Sequence, residues 1–139
     1  MQDPVGFLKA LFKAGLDAAD PLKIVPKHLP PPPKGRTVVV GAGKAAASMA
    51  KAVEDHWPAD KSLQGLVVTQ YGYALPTKRI EVIEAAHPFP DDSAEDAARR
   101  MLKLAEGLGA DDLVLALISG GGSSLMRPPD ATNCETYRF

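Results

Sequence analysis

An α/β fold with a mostly parallel sheet and helices on both faces is predicted by three observations. Thr37-Val38-Val39-Val40 runs straight into Gly41-Ala42-Gly43, and the chain then switches at once to helical spacing. Gly65 to Thr69 and Leu113 to Ile118 are short, continuously apolar runs, as buried parallel strands are. An amphipathic pattern between Ala94 and Leu108 separates later strands, so strands and helices alternate.

Composition sets the frame. The chain has 139 residues, 45% of them apolar and 24% charged, which suits one soluble globular domain with a real core. A net charge of −1 leaves no basic footprint for nucleic acid or an anionic membrane. No apolar run approaches ~18 residues, so none is expected to span a bilayer. The start lacks the basic, apolar and small-residue regions of a signal peptide. Cys134 stands alone, which excludes an internal disulfide, and no Cys/His spacing suggests zinc, so no residue is assigned to a metal. A cytoplasmic protein is expected.

Asp3-Pro4 can start a helix with proline in its first turn. Val5, Leu8, Leu11, Phe12 and Leu16 give it an apolar stripe up to Ala19, where Asp20-Pro21 stops it. Such a helix is expected to pack across the sheet or a domain face. Leu22 to Gly35, with Pro30-Pro31-Pro32-Pro33 at its centre, reads as a stiff connector. After the first strand, Ala46, Met49, Ala50, Val53 and Trp57 form one helical stripe, and Trp57-Pro58 is its exit. Gly65 to Thr69 is the second strand. Arg79 to Glu84 alternates polar and apolar residues and reads as a third, with one solvated face. About ten residues join these two strands, too few for a comfortable crossover helix. The pair is therefore expected to be antiparallel, or separated by a loop crossing the top of the sheet. Asp92 or Ser93 can cap the next helix, whose stripe is Ala94, Ala97, Ala98, Met101, Leu102, Ala105 and Leu108, ending at Gly107 and Gly109. Leu113 to Ile118 is the candidate for a central strand.

Two glycine loops stand at strand ends. Gly41-x-Gly43-x-x-Ala46 has the form of a dinucleotide fingerprint with alanine third, a motif that also marks any tight strand-to-helix turn. Lys44 lies in the first turn after it, where a cation opposes the helix dipole unless an anion shares the site. Ser119-Gly120-Gly121-Gly122-Ser123-Ser124 follows the last strand. Glycines permit close backbone approach and serines add hydroxyl donors, a chemistry suited to phosphate or carboxylate oxygens. A Walker loop is excluded, because Val38 stands where its first glycine should be and Ala45 follows Lys44. A Gly-x-Ser-x-Gly nucleophile elbow is absent. The second strand ends in Thr69-Gln70 with no acid to hold a ribose, which demotes NAD.

Four motifs in order, Val40-Gly41-Ala42-Gly43-Lys44-Ala45-Ala46, Val67-Val68-Thr69 with Tyr71-Gly72, Ala85/Ala86 with His87-Pro88-Phe89-Pro90-Asp91, and Ser119 to Ser124, resemble the glycerate 2-kinases of the MOFRL type, whose bacterial members often carry the label hydroxypyruvate reductase. The resemblance implies an incomplete Rossmann-like N-terminal domain over 1–126, with 127–139 an irregular tail, and a MOFRL domain in the complete enzyme. It implies ATP- and Mg²⁺-dependent phosphorylation of D-glycerate at its 2-hydroxyl, with Lys44 as the active-site lysine. Gly41, Gly43, Ser119, Gly120, Gly121, Gly122, Ser123 and Ser124 are then the cofactor-binding residues. Gln70 and Tyr73 depart from the family pattern, which has a basic residue and a histidine there. The stretch after Met126 shows no helical or strand pattern, so a truncated, inactive fragment is expected. The competing readings are an NAD(P)-dependent hydroxypyruvate reductase and a stand-alone anion- or nucleotide-binding module.

Overall fold

The computed structural model describes residues 3–120 and 124–126. Its elements are α1 (Pro4–Ala19), α2 (Pro21–Ile24), a 3₁₀ turn (Val25–His28), β1 (Thr37–Ala42), α3 (Ala46–His56), β2 (Gln64–Gln70), β3 (Ile80–Ala85), α4 (Asp92–Ala105) and β4 (Leu113–Ile118). The four strands lie in the order β3-β2-β1-β4 and every pairing is parallel. This is the predicted α/β architecture.

Two apolar clusters flank the sheet. On one face Ala46, Ala50, Val53 and Trp57 of the α3 stripe meet Val39, Val67, Ile80 and Leu117. On the other, Ala94, Ala97 and Met101 of α4 meet Ala42, Leu66, Val68 and Ala85, with Leu125 closing the cluster. Alternate residues of β1 and β2 therefore serve opposite helices, the period of two that a strand imposes. Small alanines on both helices let the helices approach the sheet closely. Among the described residues no helix is long and apolar enough to cross a membrane.

Four expectations are corrected. First, β2 and β3 are hydrogen-bonded parallel neighbours, in register from Gly65↔Ile80 to Gln70↔Ala85. The connection, residues 71–79, contains no helix. Extended chain covers about 3.3–3.6 Å per residue, so this loop has the reach to return along a strand rising about 3.3 Å per residue. Glu54 of α3 secures the return: its carboxylate accepts the amides of Lys78 (2.7 Å), Arg79 (2.6 Å) and Ile80 (3.1 Å). Partial burial pushes Glu54 up, but these hydrogen bonds and the Arg79 charge outweigh it and hold the carboxyl below its ordinary value.

Second, β4 is an edge strand among the described residues. Leu113, Leu115 and Leu117 pack toward α3, while Val114 and Ile118 are 47% and 45% exposed on the face that α4 leaves uncovered. A continuous apolar run reports two apolar faces, not two neighbouring strands.

Third, α1 forms where predicted but buries no residue. Asp3 caps it by accepting the Gly6 amide at 2.9 Å, and Asp20 in turn caps α2 at Leu22. The segment expected to be only a connector folds first into α2 and the 3₁₀ turn, and Val25 and Leu29 pack on the α3 cluster. Fourth, Asp91, not Asp92 or Ser93, is the cap of α4, accepting the Ala94 amide at 3.1 Å. Leu102 and Ala105 of its expected stripe are exposed. Residues 127–139, expected as a tail, lie outside the described residues.

Candidate functional site

Because every strand runs the same way, the loops after β1, β2, β3 and β4 gather at one edge of the sheet. The chain leaves β1 toward β2 and β3, then returns through α4 to β4 on the other side of β1. The strand order therefore reverses between β1 and β4, and their carboxyl ends flank the crevice where open α/β sheets bind ligands.

Both glycine loops meet there. Ser119 Oγ accepts the Ala45 amide at 3.1 Å, and the Ser119 amide donates to the Ala42 carbonyl at 3.4 Å. Gly43 has φ +129°, and a Cβ on it would stand 2.1 Å from Ser119 Oγ and 2.8 Å from the Ser119 carbonyl oxygen. On Gly41 a Cβ would stand 2.4 Å from the Leu117 carbonyl oxygen. The two glycines are thus required by the close approach of β4 and its loop. Whatever room they give a ligand comes in addition to that.

The start of α3 closes the site from below. The Ala46 amide bonds the Gly43 carbonyl at 3.0 Å and the Met49 amide bonds the Ala45 carbonyl at 2.9 Å. Among the described residues the amides of Ala47 and Ser48 meet no acceptor, which leaves donors at the positive end of the helix. Lys44 is exposed, and its ammonium has no hydrogen bond or ion pair among the described residues. Its carbonyl accepts the hydroxyl of buried Thr69, at the end of β2, at 3.3 Å. Gly120 has φ +81°. Ser124 is half-buried beside Leu125. Gly121, Gly122 and Ser123 lie outside the described residues.

The next two loops are tied by carboxylates. Glu84 Oε1 accepts three successive amides, those of Gly72 (2.7 Å), Tyr73 (3.1 Å) and Ala74 (3.2 Å). Asp91 Oδ2 accepts the Tyr71 hydroxyl at 2.8 Å and the Ala86 amide at 3.2 Å, while its Oδ1 caps α4. Burial works against the Asp91 charge, but the bonds from Tyr71, Ala94 and Ala86 outweigh it and hold the carboxyl below its ordinary value. Sequence reasoning missed Glu84 and Thr69. The signal for Glu84 was an acid at a strand end facing a glycine-containing loop. Thr69 stood in the Val67-Val68-Thr69 motif, but a threonine in a strand carries no sign of a bond to the Lys44 carbonyl. Asp111 and Asp112 lie at the opposite end, where Asp112 accepts the Arg36 amide at 2.6 Å and staples the starts of β1 and β4.

Known proteins share this fold. A family described as a domain of unknown function (DUF4147) matches residues 7–135. D-Glycerate 2-kinase of Thermotoga maritima is 39% identical over 133 residues, covering 93% of this chain and 32% of its own length. A protein of Agrobacterium vitis with a provisional hydroxypyruvate reductase name is 54% identical over 122 residues, covering 88% of this chain and 28% of its own. The crystal structure of the Thermotoga maritima glycerate kinase superposes with a TM-score of 0.70 at 38% identity, over 84% of this chain and 28% of that one. The chain thus spans about a third or less of the length of these relatives. With a family match over nearly its whole length and glycerate 2-kinases among its relatives, the chain belongs to the DUF4147 family, as a part corresponding to the Rossmann-like region of a glycerate-kinase-type protein.

Proposed function

We propose that this chain supplies the phosphate-facing half of a glycerate 2-kinase site, for ATP-dependent transfer of a phosphoryl group to the 2-hydroxyl of D-glycerate. The observation that carries the reading is the clamp of Ser119 on Ala45, which holds Lys44 and the open Ala47 and Ser48 amides at the strand-order reversal. ATP would contribute the transferable phosphoryl group and Mg²⁺ its charge neutralisation. The donor set suits phosphate oxygens: helix-start amides and the Lys44 cation, which has no ion pair among the described residues. Lys44 would balance charge on the phosphoryl oxygens, and the backbone amides would orient them. Phosphoryl transfer depends mainly on such positioning and electrostatics. Mg²⁺ is different: among the described residues no three His, Cys, Asp or Glu side chains gather to hold a metal ion. A MOFRL-containing remainder is the proposed source of those ligands.

The reductase name of one relative finds less support in the site. β2 ends in Thr69-Gln70, and the Thr69 hydroxyl is turned to the Lys44 carbonyl, so no carboxylate ends that strand to hold a ribose.

Magnitudes argue that the 139-residue protein alone does not turn over glycerate. Micromolar binding needs about 8 kcal/mol. A helix start contributes up to about 2 kcal/mol, and one lysine about 4 kcal/mol gross at an intermediate dielectric. The test is coupled ADP detection with D-glycerate, ATP and Mg²⁺, beside an ATP titration. No turnover above the Lys44→Ala control is expected, with weak ATP binding that Lys44→Ala reduces at least tenfold. Equal ATP affinity in the variant would remove Lys44 from the site, and saturable NADH binding in the micromolar range would favour the reductase.

A further inference from the structure

A groove of about 950 Å³ lies away from the glycine loops. It opens at the amino end of the sheet, between the starts of β2 and β3, the returning loop and α4. Its charged lining is one-sided: Lys78, Arg79, Arg100 and Lys103 face it, with Glu81 the single acid.

Elsewhere the fold pairs many of its cations. Lys13 and Lys23 meet Asp17, Arg36 meets Asp112, Lys51 meets Asp55, and Arg99 meets Glu95. Among the described residues, the cavity cation with carboxylate ion pairs is Arg100, which meets Glu81 and, at the limit of contact, Asp96. The Arg79 guanidinium donates to the backbone carbonyls of Glu54 and Trp57 at 3.1 Å each and its charge acts on the nearby Glu54 carboxylate, which leaves Lys78 and Lys103 to meet a ligand. Lys78 and Lys103 form no ion pair among the described residues, and both are exposed. A concave surface lined by one sign of charge concentrates counter-ions. Leu75, Val82 and Leu104 add apolar surface among these cations.

We propose that this groove binds a small, multiply charged oxyanion, a compound with clustered phosphates or carboxylates, held by Lys78 and Lys103. It is separate from the glycine-loop site, since parallel strands put their starts and ends at opposite edges of the sheet. The probe is inorganic pyrophosphate, titrated into the full 139-residue chain at low ionic strength and followed by amide chemical shifts. Saturable shifts centred on Gly65, Lys78, Ile80 and Lys103 are expected. The double variant Lys78→Gln/Lys103→Gln, which changes only exposed side chains, should weaken binding at least tenfold, whereas Lys9→Gln, which removes one exposed charge on α1, should not. Raising the salt should weaken binding further, as for any charge-driven contact. The proposal is overturned if no saturable shift appears by about 10 mM, beyond which binding is too weak to be specific. Shifts confined to Ala45–Ser48, equal affinity in the double variant, or an equal loss in Lys9→Gln would overturn it too.

Discussion

The loops after β1 and β2 leave the same edge of the sheet side by side, yet they are closed by opposite means. The β1 loop is closed by contact: Gly43 lets Ser119 come within reach of the Ala45 amide, and the helix start behind it keeps unpartnered donors. The β2 loop is closed by charge: the Glu84 carboxylate takes the amides of Gly72, Tyr73 and Ala74. A ligand anion thus finds open amides at the first loop and an internal competitor at the second. The exposed Lys44 cation stands at the first loop, whereas Gln70 at the second is neutral. The second loop already has its anion.

The most disruptive way to break this comparison is to remove the close approach at Gly43. Gly43→Ala combines a φ unsuited to alanine with a Cβ driven into Ser119, and should lower urea stability by about 3 kcal/mol. Adding Ser119→Ala should recover only part of the loss, because the Ser119 carbonyl still crowds the site. Complete recovery would mean that the hydroxyl alone sets the approach.

Glu84→Ala attacks the other closure. It strands three amides that water can partly serve, and should cost about 1–2 kcal/mol. Glu84→Gln keeps an acceptor but removes the charge, and should cost more than half of that in the same urea titration. A cost near zero would show that an acceptor atom, rather than charge, holds the loop.

Acid should expose the same carboxylate dependence more gradually. Glu54 and Asp91 have folded pKa values depressed below 4.5 and 3.8. Their contribution is present above those values and is lost as pH falls through the lower folded ones. Unfolding midpoints should therefore hold near neutrality and fall below about pH 4.5, with the steepest loss below the ordinary carboxylate range. In Asp91→Asn that acid slope should be shallower; an unchanged slope would remove Asp91 from the linkage.

The smallest effect is expected at Lys44. Its charge opposes the α3 dipole, so Lys44→Ala should leave stability unchanged or raise it by about 0.3–1 kcal/mol. A clear loss in thermal unfolding would give Lys44 a structural task that the site does not show.

Much of this was legible in the residues. The switch from Val38-Val39-Val40 to the Ala46–Trp57 stripe located β1 and α3, and Asp20-Pro21 located the end of α1, because these are local signals. The partner of each strand is a long-range property. Nothing in Arg79–Glu84 states that it runs parallel to β2, since that depends on Glu54, some 25 residues earlier, receiving the loop. The glycine loops could be read as anion-binding, but their meeting through Ser119 and Ala45 spans 74 residues of separation and emerges only in the fold. The apolar run of β4 suggested a centre, and only the sheet order shows that it lies at an edge among the described residues.

The exposed α1 helix also sets a time scale. A helix of 16 residues with no buried side chain draws little support from tertiary packing, and isolated helices of that length are marginal in water. Its amides should therefore open by local fraying, at a free energy far below that of global unfolding, and exchange with deuterium long before those of Val39 or Val67. In an exchange experiment the chain should separate into a fast amino-terminal arm and a slow sheet, with α2 marking the border between them.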